Sequence, residues 1–319
     1  MRSGIRTLGI GVGALALLVC LVGSAAAQTY TVTRTDDPNP APCEPGNCSL
    51  RGALTASNST TTVDDVVVLP ASATPYRLQY EFIFFDINDE VEVRGAGADK
   101  TVVEGDGEET IFFVGGVKAT LSGLTITGGQ AAIQNNGELL VRGVSIEGNK
   151  WNGGTAGIIS NGPLTVDSSF LGFNRTESAS GGVIHSNAAV TIVNSTLAQN
   201  TSKEGPGAIS TSAGIPVTIL NSAIVSNRSE IAPAAAVGGS PLTIRNSVFA
   251  DNRDAAGLLN CTSAGGRSTR RVTARPSISA ASLAPRGAPA TADRTSSRAN
   301  WSRSCLSASC PCASARRRI

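Results

Sequence analysis

The chain has 319 residues, only 4% of them aromatic, with 35 glycines and a formal net charge of +2. So few rings give little from which to build a globular core of large side chains, and helix-period apolar stripes are absent after the N-terminus, which excludes a helical bundle. What remains is one elongated solenoid or two ordinary domains, filled by small aliphatic side chains and turning tightly and often.

Residues 1–27 read as a secretory signal peptide. Arg2 and Arg6 form a basic start, Ile10 to Val22 an apolar run, and Ala25 to Ala27 a small-residue cleavage site before Gln28. The run is short for a membrane span and no other segment is long enough, so no transmembrane segment is expected after cleavage. Leu17-Leu18-Val19-Cys20 has the outline of a lipoprotein signal, but Val19 is too large for its position. Export places the rest in an oxidising compartment. There Cys43 and Cys48 are expected to close the loop Cys-Glu-Pro-Gly-Asn-Cys as a disulfide, since a zinc site would need two more ligands nearby.

Residues 28–85 read as an N-terminal cap that shields the open end of a solenoid. Strands are expected at Thr29–Thr33, Val66–Leu69 and Val91–Arg94, then at Val102-Val103 and Ile111–Phe113 with irregular spacing. The acidic pairs Asp36-Asp37, in a Pro-rich turn, and Asp64-Asp65, before a strand, read as turn formers and solvated charges.

From residue 86 to 256 the pattern becomes a repeat. Leu139–Asn149, Leu164–Asn174, Val190–Asn200, Val217–Asn227 and Leu242–Asn252 share one alternation of apolar and polar residues, with closing asparagines 25, 26, 27 and 25 positions apart. A weaker copy precedes them at Ala119–Gly129. Three apolar columns stay in register: Leu121, Val141, Val166, Ile192, Ile219 and Ile244; Ile126, Ile146, Leu171, Leu197, Ile224 and Phe249; and Ile133, Ile158, Ile184 and Ile209. Short strands and Gly or Asn turns at this period describe one rung of an all-β, right-handed parallel β-helix, in which stacking turns each column into an inner ladder. A leucine-rich repeat would need closely spaced Leu and a helical return, and a propeller blade about 40 residues; neither fits. Two asparagine columns, Asn149, Asn174, Asn200, Asn227 and Asn252 and also Asn194, Asn221 and Asn246, read as structural corners. Asn tolerates φ > 0 there, and stacked amides can hydrogen-bond from rung to rung. The sequons they create, Asn174-Arg-Thr among them, are incidental to that role.

Cys48-Ser49-Leu50-Arg51-Gly52-Ala53-Leu54 resembles the Cys-Ser-Leu-Arg-Glu-Ala motif of the CSLREA domain. The flanks agree: Tyr30-Thr-Val-Thr and Cys43 before it, Ala56-Ser57-Asn58 and Asp65–Pro70 after it. The resemblance covers roughly residues 29–260 and implies an exported bacterial protein with a parallel β-helix behind the motif; the family brings no settled activity. Gly52 stands in place of Glu, so a charged contact within the cap is expected to be lost. Phe249–Asn252 and Gly181–Ile184 also resemble the short repeats of polymorphic outer-membrane proteins.

The repeats offer no convergent catalytic set. The acidic residues there form no column, and the adjacent pairs near the cap point to opposite sides of a strand. His185 is the only histidine and follows the inward Ile184, so it should face outward. Trp151 and Phe173 could stack on sugar rings, or lie partly buried beneath a turn. No catalytic residue, metal or cofactor is assigned. Residues 257–319 change character: 11 Arg against one acid, where residues 28–256 hold 13 basic and 23 acidic residues, a net of −10. The tail reads either as a disordered basic arm or as an out-of-frame stretch, the latter making the chain a truncated fragment. The leading expectation is a secreted or cell-surface β-helix in adhesion or carbohydrate binding, without catalysis. Its partner would be a polysaccharide or a host or neighbouring cell surface, with no nucleic acid on the folded part. The alternative is a polysaccharide lyase or glycoside hydrolase on the same scaffold.

Overall fold

In a computed structural model, residues 27–258 are described apart from 61–63, 80–83, 178–180, 232–235 and 239–240, together with the two-residue strand Cys305–Leu306. The expected signal peptide up to residue 26 lies outside the described residues, as does nearly all of the tail.

The described chain is a right-handed parallel β-helix. Successive coils contribute strands to three sheets, and the middle coils contribute one to each. The first sheet has nine parallel strands, from Thr29–Thr31 through Asp65–Leu69 and Val91–Gly95 to Leu242–Arg245. The second runs in parallel from Tyr76–Arg77 to Val248–Ala250, with Cys305–Leu306 antiparallel at its end, and the third has six strands, from Phe85–Ile87 to Ile209–Thr211. A fourth row of two-residue strands is added from Lys150–Trp151 onward. The order within every sheet follows the chain, so each coil lies on the one before it, about 4.8 Å away.

Alternation explains why the columns seen in the sequence become the core. Val166, Ile192, Ile219 and Ile244 are direct register partners, as are Leu171, Leu197, Ile224 and Phe249, and Ile133, Ile158, Ile184 and Ile209. Ile192, Ile219, Leu197 and Ile184 are wholly buried. Each such side chain contributes about 1.5–3 kcal/mol by leaving water. Ile244, in the last coil, is only partly buried.

The corners carry the polar part of the interior. Asn149, Asn174, Asn200, Asn227 and Asn252 are buried. Each of the first four sends its main-chain N–H and its Nδ2 to the Oδ1 of the next: 3.1 and 3.0 Å for Asn149 on Asn174, 3.1 and 2.9 Å for Asn200 on Asn227. Their Nδ2 atoms also reach carbonyls of the preceding coil, at 2.9 Å from Asn200 to Leu171. One expectation is corrected here. The left-handed conformation at this corner belongs to the preceding residue, Gly148, Phe173, Gln199, Ser226 or Asp251, not to the asparagine. The buried amide needs a backbone that turns its side chain inward, and the residue before it makes the turn. Asn194, Asn221 and Asn246 are the reverse case: exposed, with φ of 51°, 50° and 48°.

A serine column escaped the sequence reading. Ser169, Ser195, Ser222 and Ser247 are buried beside the exposed asparagines. The N–H of Val144 donates to Ser169 Oγ, and the N–H groups of Ser169, Ser195 and Ser222 to the next Oγ, each at 3.1 Å. Another exposed ladder runs through Asn136, Asn161 and Asn187, with both amide contacts at 2.8 Å. Its signal was present, since Asn161 and Asn187 each follow a serine 26 positions apart.

Residues 28–85 are continuous with the coil, since Thr29–Thr31 and Asp65–Leu69 are its leading strands in the first sheet. One helix, α1 (Leu50–Ser57), packs against them and was not anticipated. Ser49 caps it by accepting the N–H of Gly52, and Leu50, Ala53 and Leu54 join the core. Eight residues are too few to show an apolar stripe. The disulfide Cys43–Cys48 closes the hairpin before it, with Cys43 opposite Cys48.

The reading of Asp37 and Asp65 as solvated charges is corrected. Asp37 is not solvated: its buried carboxylate takes Arg51 in a two-pronged pair at 2.7 and 2.6 Å, and Arg51 also donates to the Phe84 carbonyl and lies over the Phe85 ring. Removing one partner alone would strand a charge, at about 3–5 kcal/mol. Asp65 is likewise buried, accepting the Gln28 N–H and the Thr60 hydroxyl. Position 52 has no room for the glutamate that the motif would bring, because a Cβ there would lie 2.0 Å from the Pro42 carbonyl oxygen. Glycine lets α1 approach the chain that leads into the hairpin.

Candidate functional site

Strand alternation that buries one column exposes its neighbours, so every chemical opportunity on the coil is itself a column. On the first sheet the outward Thr165, Thr191, Thr218 and Thr243 are register partners on four successive coils. Their hydroxyls repeat at the strand spacing, about 4.8 Å.

Nearer the cap the same face is charged. Glu92 accepts from Arg94 Nε at 3.0 Å and from the Ser122 hydroxyl at 2.8 Å. The Arg94 hydrogen bond, helped by Ser122 and by the charges of Arg94 and Arg142, holds the Glu92 carboxyl below its ordinary range. Beside it Asp64, Glu92, Lys118 and Thr120 line an open depression of 350 Å³. A second depression, of 310 Å³, lies where the first sheet turns into the second, lined by Ser168, Phe170, Asn194 and Thr196 among others.

The residues singled out from the sequence are dispersed. His185 lies on the outer side of the third sheet, half-buried, between Ile159 and Ser210. Asp86 heads that row, and burial pushes its carboxyl up against the pull of Arg51. Trp151 is half-buried and lies over Gly154, where a Cβ would come within 2.5 Å of the ring. Phe173 is 54% exposed and is joined by Phe170, with ring centroids 6.0 Å apart. Among the asparagines, Asn174 and Asn227 are buried, so these two sequons are closed in the folded coil. No three His, Cys, Asp or Glu side chains come together as a metal site among the described residues.

The feature missed in the sequence is the fourth row. Lys150, Arg175, Thr201, Arg228 and Arg253 are register partners on five successive coils, all outward. Its signal was available: the buried asparagine is followed directly by Lys or Arg in four of the five repeats. Arg175 pairs with Glu177 at 2.6 Å and with Glu230, two coils on, at 3.2 Å; Lys150 is 4.0 Å from Glu177.

No family model matches the chain. No curated protein matches it. Among solved structures it is similar to an alginate lyase of the PL6 family, AlyGC, at 12% identity and a TM-score of 0.39 over 78% of this chain. It spans 40% of that protein's length. It is also similar to an alginate lyase from Paenibacillus sp. str. FPU-7, at 11% identity and a TM-score of 0.33, over 77% of this chain and 99% of the other.

Proposed function

We propose that this chain is an exported, non-catalytic β-helix that binds polysaccharide, free or on a cell surface, along its outer faces, and that its first coils are a CSLREA-type cap. The observation that carries the reading is the repetition of outward chemistry in register, as in the four-threonine column of the first sheet. A surface that repeats along one axis fits a ligand that repeats along one axis, and stacked coils make extended binding surfaces of this kind. Two carboxylates of residues 28–85 are already engaged in holding the fold, Asp37 by Arg51 and Asp65 by Gln28 and Thr60. The test is retention of the secreted protein on a panel of immobilised polysaccharides and on whole cells. Retention above a charge-matched control protein is expected, and none on any surface would overturn the reading.

A second reading, polysaccharide lyase, has one observation in its favour: Lys118 and two carboxylates, Asp64 and Glu92, line the same 350 Å³ depression. Unsaturated product formed by wild type but not by Lys118→Met would replace the binding reading.

A further inference from the structure

We infer that the fourth row is a binding site for an acidic polysaccharide chain, one carboxylated or sulfated sugar per coil, laid parallel to the coil axis. This rests on the polysaccharide-binding reading and adds the ligand's charge and the face it occupies.

Each of five successive coils offers an outward cation on this row. Lys150, Arg175, Arg228 and Arg253 occupy the register position itself. In the coil where Thr201 interrupts them, Lys203 lies two residues on, on the same side, because Ser202 between them is buried. Residues 143–256 contain six basic residues, and five of them are on this row; chance would scatter them over all four.

The row already takes carboxylates. Arg175 holds Glu177 and Glu230 at hydrogen-bonding distance, whereas Arg228 and Arg253 make no ion pair among the described residues. Exposed ion pairs contribute at most about 1 kcal/mol, so a ligand carboxylate can replace Glu177 or Glu230 with little cost. Phe173, two residues before Arg175, is an aromatic side chain 54% exposed at the corner that leads into the row.

Charge density separates a uronan-like or sulfated chain from nucleic acid. Duplex DNA carries one charge per about 1.7 Å of axis, against one cation per coil of about 4.8 Å here. Residues 28–256 have a net charge of −10, which would oppose so dense a polyanion away from the row. A chain with one charge per sugar matches the row.

The experiment uses the full secreted chain and measures affinity for polygalacturonate, a sulfated galactan, a neutral dextran and duplex DNA over a range of salt. Variants are Arg228→Gln with Arg253→Gln, Glu177→Gln with Glu230→Gln, and Arg77→Gln with Arg245→Gln as off-row controls. Circular dichroism and thermal unfolding confirm that each folds. Binding to an acidic polysaccharide is expected, weakened about tenfold in the Arg228/Arg253 variant, with a salt dependence lower by about two released ions. The control pair should bind as wild type, and the Glu177/Glu230 variant should bind more tightly. Acidic chains bound equally by wild type and the Arg228/Arg253 variant would overturn the inference, as would tighter binding of DNA. Dextran bound while both acidic chains are ignored would also overturn it, yet leave the broader polysaccharide reading standing. Failure to bind any polysaccharide would remove both.

Discussion

Three coils turn two corners with asparagine, at Asn194 and Asn200, Asn221 and Asn227, and Asn246 and Asn252, and the two corners use the same side chain for opposite purposes. At Asn174, Asn200 and Asn227 the amide is buried and joined to the coils above and below through both its oxygen and its nitrogen. At Asn194, Asn221 and Asn246 the amide is exposed, and its contacts along the stack are longer, 3.5 Å from Asn221 to Asn194 and 3.2 Å from Asn246 to Asn221. There the residue is present for its backbone, held at φ near 50°. Spacing alone therefore does not define a ladder. What distinguishes them is which way the Cα–Cβ bond points when the chain turns, and whether water can reach the amide.

The sharpest way to break this contrast is Asn200→Leu. It removes an acceptor used by the Asn174 N–H and Nδ2 and donors to the Leu171 carbonyl and Asn227 Oδ1. Leaving several buried groups unpaired should cost about 4 kcal/mol, read as a lower denaturant midpoint. Ser222→Ala comes next: the buried Ser195 N–H loses its acceptor, a loss of about 2 kcal/mol by the same measurement. Asn221→Ala should cost only about 1 kcal/mol, because it strains one left-handed residue, and Asn221→Gly should cost close to nothing. If Asn221→Ala proves as damaging as Asn200→Leu, the two corners are not different.

The smallest expected effect is electrostatic and lies on the outer face. Glu92 has a lowered folded-state pKa, so its contribution to stability is present above its ordinary value near 4.5 and is lost as the pH falls through the lowered value. Glu92→Gln should cost a few tenths of a kcal/mol at neutral pH, since the pair is largely solvated. The gap between the two proteins should shrink under acid titration of the midpoint.

The aliphatic columns were legible because burial inside a stack demands one residue class at one period, and Ile192, Ile219 and Ile244 declare it. The serine column was less so. Ser195 and Ser222 follow asparagines that looked sufficient to explain the corner, and a hydroxyl gives no hint of burial. The cap was misread where tertiary contact overrides local habit. Asp37 looks like a turn residue until Arg51, 14 positions on, is brought against it. Gly52 looks like a loss until the Pro42 carbonyl is seen against it. The cationic row was hidden because its members are single residues, about one coil apart, each beside an asparagine that drew the attention.

The most direct measurement is hydrogen exchange of the asparagine side-chain amides, followed by nuclear magnetic resonance on protein labelled at asparagine. The expected result is two populations: slowly exchanging amides assigned to Asn149, Asn174, Asn200 and Asn227, and rapidly exchanging ones at Asn194, Asn221 and Asn246. A single rate for both groups, or protection at Asn194, Asn221 and Asn246 instead, would contradict the stacked coil with one buried amide ladder.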